Sequence, residues 1–374
     1  MQGHIRKRGK GSWTVVVDLG RDPASGKRRQ LWRSVAGTKK DAEALLVQLL
    51  HQRDLGIDAP PGKLTTAEFL AQWLESYARP NTAPKTYLRY EAIVRIHLTP
   101  ALGAIALTKL RPLHVQRTYA QLLAKGLSAR SVLHCHRVLK GALSHALKWQ
   151  LTSRNPADSV DPPTPSRYEV KAIEAEQVKA LLATADATRY GSLINLAVMT
   201  GLRVGELLGL RWKDVDLDGR VLSVRQTCQW LPREGFIFRQ PKTYRSTRPV
   251  SLGGATIERL RQHRIQQLED RLAVGPAYED RDLVFADAIG RPVHPSSLRQ
   301  VWLTITKTVG LKLRLHDLRH IHASLLLHQG VHPKVVSERL GHSTVGITLD
   351  LYSHVTPTLQ AQAAEQIEAL LANG

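Results

Sequence analysis

The sequence predicts a multidomain chain with a small β-sheet plus helix domain at the N-terminus, an all-α domain, and a mixed, mainly α-helical domain. Three observations lead to this prediction. The 374 residues exceed what one hydrophobic core usually serves. Two stretches, 57–63 and 154–169, are rich in proline and interrupt the hydrophobic periodicity, which changes character on either side of them. We therefore expect domains over 1–60, 64–160 and 168–374.

The first domain is predicted from a hairpin pattern. The segments WTVVVDLG and RRQLWRSV flank the turn-forming DPASG, and a further short strand is expected around residues 4–8. Thr38 and Asp41 resemble a capping box that opens a helix reaching Gly56. A basic ribbon of this kind can enter the DNA major groove or follow phosphates, and the alternative is a solvated edge protected by charge. The candidate DNA-binding residues are Arg6, Lys7, Arg8, Lys10, Lys27, Arg28, Arg29 and Arg33.

Helical periodicity dominates the rest of the chain. In the second domain, Thr65 and Glu68 would cap a first helix, followed by helices over 84–98, 112–125 and 128–150. In the third domain, we expect helices over 174–185, 190–209, 255–272, 295–309, 316–329, 333–340 and 343–353. Strands are expected there over 213–230, 235–250 and 282–286.

The charge of the chain favours a polyanionic partner. Its 53 Lys and Arg against 32 Asp and Glu give a net charge of +21. A field of this sign attracts nucleic acid, although solubility or adhesion to acidic surfaces is the alternative. Two cysteines are too few for a disulfide framework, and no stretch resembles a membrane span or a signal peptide. We expect an intracellular protein in a reducing compartment.

Two pairs of polar residues in the third domain have helical spacing. Arg203 and Glu206 lie three positions apart in TGLRVGELLGL, as do His316 and Arg319 in HDLRHIHA, so each pair would share one helix face. Either pair can be purely structural, since surface ion pairs at this spacing contribute only about 0.2–0.5 kcal/mol.

Three further residues carry reactive or hydrogen-bonding groups. Lys242, in PKTYRSTR, is expected at the tip of a hairpin, where simple exposure is the alternative explanation. His342 follows a Leu-Gly pair, and Tyr352 comes ten positions later. Tyr352 is either a core residue on a helical stripe with Leu349 and Val355, or a nucleophile.

Considered together, these groups match the needs of phosphodiester cleavage by a tyrosine. The transition state places negative charge on the non-bridging oxygens, and Arg203 and Arg319 would supply cations there. An acid must protonate the departing 5′-oxygen, and a base must accept the phenolic proton, whose ordinary pKa is about 10. Lys242 and His316 are the candidates for these proton transfers.

Five segments in order carry a resemblance to a known family. TGLRVGELLGL, PKTYRSTR, HDLRHIHA, LGHSTVGIT and LDLYSHV resemble the arginine, lysine, His-x-x-Arg, Leu-Gly-His and tyrosine boxes of the tyrosine recombinases, also called the phage integrase family. The resemblance implies that Tyr352 attacks a DNA phosphate and forms a 3′-phosphotyrosyl intermediate. The activating positions then fall on Arg203, Lys242, His316, Arg319 and His342, and the supporting acidic position on Glu206.

The resemblance also implies partners. Residues 64–160 resemble the helical, SAM-like core-binding domain, and residues 1–56 a module that binds distant arm-type sites in integrases of phages and conjugative elements. An amphipathic helix after Tyr352 would dock on a neighbouring subunit in a homotetramer on DNA. Accessory DNA-bending or directionality factors are further candidate partners, and the resemblance implies a bacterial cytoplasmic protein associated with the nucleoid. We expect no cofactor and no metal, because a covalent intermediate conserves the phosphodiester energy and the cationic side chains neutralise charge.

Three other functions remain open at this point. A non-catalytic DNA-binding regulator would not need the complete set of reactive residues. A type IB topoisomerase-like enzyme would share the covalent chemistry without exchanging strands. A metal-dependent transposase would require a carboxylate triad and would stop in EDTA.

Overall fold

The computed structural model describes residues 3–21, 28–54, 64–166, 173–232, 234–240 and 247–351, with the short stretches 364–365, 367–368 and 371–372. Predictions for Lys27, Lys242 and Tyr352, and most of the helix expected after Tyr352, lie outside these residues. The chain divides into two compact units, Met1–Arg167 and Tyr168–Gly374.

The first unit begins with the predicted sheet and helix. Strands β1 (Gly3–Gly9), β2 (Ser12–Arg21) and β3 (Arg28–Ala36) form an antiparallel sheet in the order β1-β2-β3, and helix α1 (Lys39–Asp54) follows. Val15 and Val17 of β2 pack with Ala42 and Leu49 of α1, because alternate strand residues face the helix. The sheet, the helix and the Thr38 cap are confirmed; the amide nitrogen of Thr38 donates to the Asp41 carboxylate at 2.7 Å.

The helices that follow have their own hydrophobic core. The capping box at the first of them is confirmed, since the amide of Thr65 donates to Glu68 at 2.8 Å and the amide of Glu68 donates back to the Thr65 hydroxyl at 3.2 Å. Phe69, Leu98 and Leu139 are fully buried in this core. The helices are α2 (Thr66–Trp73), α3 (Arg79–Asn81), α4 (Pro84–Ile93), α5 (Thr99–Leu102), α6 (Pro112–Ala124) and α7 (Ala129–Lys148), with π-helical turns at Leu74–Ala78 and Val94–Leu98.

The second unit is mainly helical with two small sheets. Its helices are α8 (Ala175–Asp186), α9 (Gly191–Thr200), α10 (Val204–Leu208), α11 (Gly254–Val274), α12 (Pro295–Thr308), α13 (Asp317–His328), α14 (Pro333–Leu340) and α15 (Val345–Leu351). Its strands are β4 (Val215–Asp216), β5 (Val221–Val224), β6 (Thr227–Leu231), β7 (Gly235–Arg239) and β8 (Arg248–Ser251). One sheet has the order β4-β5-β8, and β6 pairs with β7. In the part of the chain that the structure describes, every helix is too short or too polar to cross a bilayer.

Three predictions for this unit were wrong in detail. The helix expected over 190–209 breaks into α9 and α10, because Gly201 adopts a left-handed conformation with φ of 64° and ends α9. The expected strand over 213–230 divides into β4, β5 and β6, since Arg220, at φ of 53°, turns the chain between β4 and β5. The segment 282–286 forms no strand; it makes only isolated bridges, from Leu283 to Arg211 and from Ala286 to Pro292.

Candidate active site

The break after α9 places Arg203 at the start of a new helix. Arg203 is the N-cap of α10, where its amide donates to the Glu206 carboxylate at 3.0 Å. Its guanidinium donates to the same carboxylate at 2.7 Å, so the predicted i,i+3 pair is formed. The Arg203 side chain is 38% exposed whereas that of Glu206 is 1% exposed. The carboxylate therefore lies beneath the guanidinium and holds it at the surface.

The second predicted pair lies at the start of α13. His316 is the N-cap of α13 and Arg319 lies in its first turn. Arg319 is buried, and its guanidinium donates to the carbonyl of Gly201 at 2.8 Å and to that of Leu340 at 2.7 Å. These bonds join the start of α13 to the turn before Arg203 and to the end of α14.

His342 follows a tight turn at the end of α14. Gly341 has a φ of 68° and its amide donates to the carbonyl of Glu338 at 3.0 Å, while the amide of His342 donates to that of Ser337 at 3.0 Å. This pair of hydrogen bonds is the pattern of a Schellman motif, which reverses the chain at a glycine. A hydrogen bond of 2.8 Å then joins Nδ1 of His342 to the hydroxyl of Thr348, so the imidazole is held by its own backbone turn and by α15.

Three arginines donate hydrogen bonds to three consecutive backbone carbonyls at the end of α14. Helix C-termini leave carbonyls without intrahelical donors, and cations near them are favoured by the helix dipole. The bonds run from Arg248 Nε to the Arg339 carbonyl at 2.7 Å, from Arg319 to that of Leu340 at 2.7 Å, and from Arg203 to that of Gly341 at 3.2 Å. The turn therefore brings the two predicted arginines and His342 together.

Arg248 was missed as a site residue by the sequence analysis. It lies on β8 with a side chain 6% exposed, and it donates to the Glu206 carboxylate at 3.0 Å. Burial raises the pKa of Glu206, but the charge and hydrogen bonds of Arg248, with those of Arg203, outweigh burial and hold that pKa below its ordinary value. The sequence Arg-Pro-Val-Ser on a short strand does not indicate that the arginine points inward. Only the pairing register of β8 identifies Arg248 as a buried residue.

The histidines of the site are held neutral. Burial, together with the positive charges of Arg319 and Arg203, lowers the pKa of His342 to about 4. Burial and the charge of Arg319 also lower the pKa of His316. At neutral pH both imidazoles can accept a proton or a hydrogen bond, as general-base chemistry requires.

Two neighbouring histidines differ in their surroundings. The His320 ring meets that of His316 edge-on, with centroids 5.7 Å apart. His322 is buried; its Nδ1 donates to the carbonyl of Val198 at 2.8 Å and its Nε2 accepts from Arg339 at 3.2 Å. These hydrogen bonds join α13 to α9 and to α14, so His322 has a structural role.

The predicted DNA-binding residues of the first sheet lie mostly in solvent. Arg6 is exposed and lies 5.8 Å from the ring of Trp32, a side chain that is itself 50% exposed. Arg28 is exposed as well, but two hydrogen bonds, at 2.9 and 2.5 Å, pair it with Asp18. The remaining described side chains, Lys7, Arg8, Lys10 and Arg33, are exposed, and Arg29 lies within β3.

Known proteins are similar to this chain over nearly its whole length. Residues 171–358 match the phage integrase family, and residues 65–123 match the phage integrase N-terminal SAM-like domain. The tyrosine recombinase XerC-like protein of Caldanaerobacter subterraneus subsp. tengcongensis is 30% identical over 97% of this chain and 97% of its own. The ICEBs1 integrase of Bacillus subtilis is 28% identical over 98% of this chain and 100% of its own.

Solved structures share the fold. The Tn1549 transposon integrase in complex with transposon right end DNA is 20% identical, with a TM-score of 0.68 over 80% of this chain and 99% of that chain. The lambda integrase tetramer bound to a Holliday junction is 18% identical, with a TM-score of 0.56 over 91% and 95% of the two chains. With the family match and the 30% identical relative, these findings establish that the chain belongs to the phage integrase family of tyrosine recombinases, enzymes that cleave and rejoin DNA.

Proposed function

We propose that this chain is a site-specific integrase that moves a phage or other mobile element by cutting and rejoining DNA through a 3′-phosphotyrosyl intermediate on Tyr352. One observation carries the assignment of roles. Arg203, Arg319 and His342 converge on the turn that ends α14, although 139 positions separate the first from the last in the sequence (342 − 203). These residues are distant in the sequence but meet at one turn. Two guanidinium groups at that turn would neutralise the two non-bridging oxygens of a bound phosphate.

The two arginines bind the scissile phosphate. Guanidinium groups present donors in a plane that matches two phosphate oxygens, and fixed donors lower the energy of the transition state without reorganising. Arg203, with 38% of its side chain exposed, faces solvent and meets DNA first. Arg319 is buried; it would supply the second positive charge while it keeps the start of α13 and the α14 turn in place.

Two proton transfers complete the cleavage step. His316, neutral at pH 7, accepts the proton of Tyr352 as its oxygen bonds to phosphorus. Lys242 donates a proton to the departing 5′-oxygen, and His342 hydrogen-bonds a phosphate oxygen. Because the phosphodiester energy is retained in the tyrosyl linkage, a second 5′-hydroxyl reverses the step without ATP.

The remaining parts of the chain bind DNA and assemble the complex. Domains over 1–60, 64–160 and 168–374 would contact arm-type sites, the crossover site and the scissile phosphate, respectively. The lambda integrase structure is a tetramer on a Holliday junction, and this supports a homotetramer here, with the C-terminal helix docking between subunits. Accessory bending or directionality factors would act on the same DNA, in the bacterial cytoplasm at the nucleoid.

Covalent trapping tests the chemistry. Wild type and Tyr352→Phe are incubated with nicked suicide duplexes covering the ends of the encoding element, in EDTA and without ATP. A denaturant-resistant protein–DNA band with wild type alone supports the proposal, and exchange between two attachment sites separates recombination from topoisomerase-like relaxation. No band on any duplex, from protein that still binds DNA, would make the chain a DNA-binding regulator.

Salt dependence tests the N-terminal module. Replacing Arg6 and Lys7 with Gln should reduce the slope of log K against log salt by about 0.9 for each phosphate that the variant no longer neutralises. Arg28→Gln is the matched control, because Arg28 is paired with Asp18 and its removal should change the slope less. An unchanged slope in the Arg6 and Lys7 variants would show that these side chains of β1 do not bind DNA phosphates.

A further inference from the structure

One buried arginine links three parts of the site without lying at its surface. The guanidinium of Arg248 donates through one terminal nitrogen to Glu206 at 3.0 Å and through Nε to the carbonyl of Arg339 at 2.7 Å. Its other terminal nitrogen lies 3.4 Å from the second oxygen of Glu206. Strand β8 is thereby joined to α10 and to the end of α14.

The carboxylate of Glu206 transmits this restraint to Arg203. One oxygen of Glu206 accepts from Arg203 at 2.7 Å, and the carboxylate is almost completely enclosed, at 1% exposure. Arg203 is far more exposed and has several rotamers available to it in solvent. A carboxylate that is itself fixed by Arg248 restricts Arg203 to the one rotamer that also reaches the carbonyl of Gly341.

Arg248 also packs against the turn that carries His342. A Cβ atom at Gly341 would lie 2.8 Å from a terminal nitrogen of Arg248 and 3.1 Å from its Cδ. The guanidinium therefore covers the backbone of the turn directly. Any shift of Arg248 moves both the anchor of Arg203 and the support of the His342 turn.

We propose that Arg248 is a positioning residue for DNA cleavage, which sets the relative placement of the Arg203 guanidinium and the His342 imidazole. This inference rests on the proposed function. Arginine is required by the geometry, since a planar guanidinium donates from Nε and from its terminal nitrogens to separate acceptors, whereas a lysine ammonium is a single point of charge.

The alternative is a purely stabilising ion pair, and it predicts different kinetics. If Arg248 only stabilised the fold, its replacement would reduce the amount of active protein, while each folded molecule would cleave at the normal rate. A positioning role instead predicts a slower rate in molecules that are folded and bind DNA normally. The amplitude of a single-turnover reaction counts competent molecules, and its rate constant reports their geometry.

The test measures single-turnover cleavage of a nicked attachment-site duplex by full-length Arg248→Lys and Arg248→Gln, alongside DNA affinity and thermal unfolding. Arg259→Lys is the matched control, because Arg259 makes a two-pronged pair with Asp186 on the same unit and takes no part in the site. We expect rate constants at least tenfold below wild type for both Arg248 variants, affinity within threefold, and no change for the control.

Three outcomes would overturn the inference. They are a rate constant within twofold of wild type, a loss confined to amplitude, and failure of both variants to fold, which would make the role one of stability. The proposed function fails separately, if wild type itself forms no Tyr352-dependent covalent complex on the same duplex.

Discussion

Replacing Glu206 with Gln tests whether this carboxylate is the electrostatic centre of the site. Glutamine preserves the shape and one accepting oxygen but removes the charge shared by Arg248 and Arg203. The side chains of Arg248 and Glu206 are 6% and 1% exposed, so water cannot replace the lost partner at Arg248. We expect both a less stable second unit and slower DNA cleavage.

The magnitude follows from burial. Breaking a buried ion pair by removing one partner costs about 3–5 kcal/mol, and an amide that still accepts one hydrogen bond places the change near the lower end, about 3 kcal/mol. In a domain of this size 1 kcal/mol shifts the unfolding midpoint by about 2–4 °C, so the expected decrease is about 6–12 °C.

The pH dependence of this difference has a definite sign. The folded pKa of Glu206 lies below its ordinary value of 4.5, so its contribution to stability is complete above that value and is lost as pH falls through the folded pKa. Glutamine does not titrate. The gap in unfolding midpoint between wild type and Glu206→Gln should therefore be constant near pH 7 and should narrow below about pH 4.5.

Calorimetry of the full chain measures the midpoints, and hydrogen exchange of peptides covering 333–351 assigns the change to the end of α14. Asp186→Asn is the control, because its pair with Arg259 is 40% and 32% exposed and surface pairs contribute about 0–1 kcal/mol. A decrease no larger than that of Asp186→Asn, or a gap that persists unchanged at pH 3, would refute the assignment of a charged, buried Glu206.

Three further predictions concern the proton acceptor and the α14 turn. Cleavage by wild type should be constant from pH 6.5, the ordinary histidine pKa, up to the alkaline range where Lys242, the proposed acid, loses its proton. It should fall below pH 6.5, because burial lowers the pKa of His316 and the acid limb therefore lies under that value. His316→Gln should remove this acid limb and slow the single-turnover rate on the order of 10²–10⁴-fold. Gly341→Ala should destabilise the second unit more than Gly330→Ala. Both glycines have positive φ, but only at Gly341 would a Cβ atom press against the buried guanidinium of Arg248. Equal decreases in unfolding midpoint would contradict this. Thr348→Val removes the hydrogen bond to His342, worth about 1 kcal/mol, and should slow cleavage about fivefold without changing DNA affinity as measured by filter binding.

The parts of the fold and of the site that depend on local spacing could be predicted from the sequence. The caps at Thr38 and Thr65 require only residues three positions apart, and the Arg203–Glu206 pair is of the same kind. The break at Gly201 could not be predicted, because an isolated glycine in an apolar helix pattern is tolerated unless tertiary packing selects its left-handed conformation. Here a Cβ at Gly201 would lie 2.5 Å from Leu340, a contact that no local pattern contains.

The role of Arg248 lies beyond sequence reasoning for the same reason. Its acceptors are 42 positions away at Glu206 and 91 positions away at Arg339. Basic residues are mostly exposed, so an arginine in a segment rich in Lys and Arg is assigned to solvent by default. Only the strand register, which pairs Arg248 with Val224 and turns it inward, distinguishes it.

The arginines proposed to bind phosphate are also structural donors, and this changes how their substitution should be interpreted. Arg319 joins the carbonyls of Gly201 and Leu340, and Arg203 holds that of Gly341. Each replacement by alanine therefore removes a cation from the phosphate and leaves buried carbonyls without donors, at about 1–3 kcal/mol for each unsatisfied group. Loss of activity in such a variant is the sum of both effects. The contribution of phosphate binding is measured only by comparing the rate constants of folded molecules. Carbonyls left without hydrogen-bond donors reduce the number of molecules that fold and react, whereas a missing cation slows the reaction of every molecule.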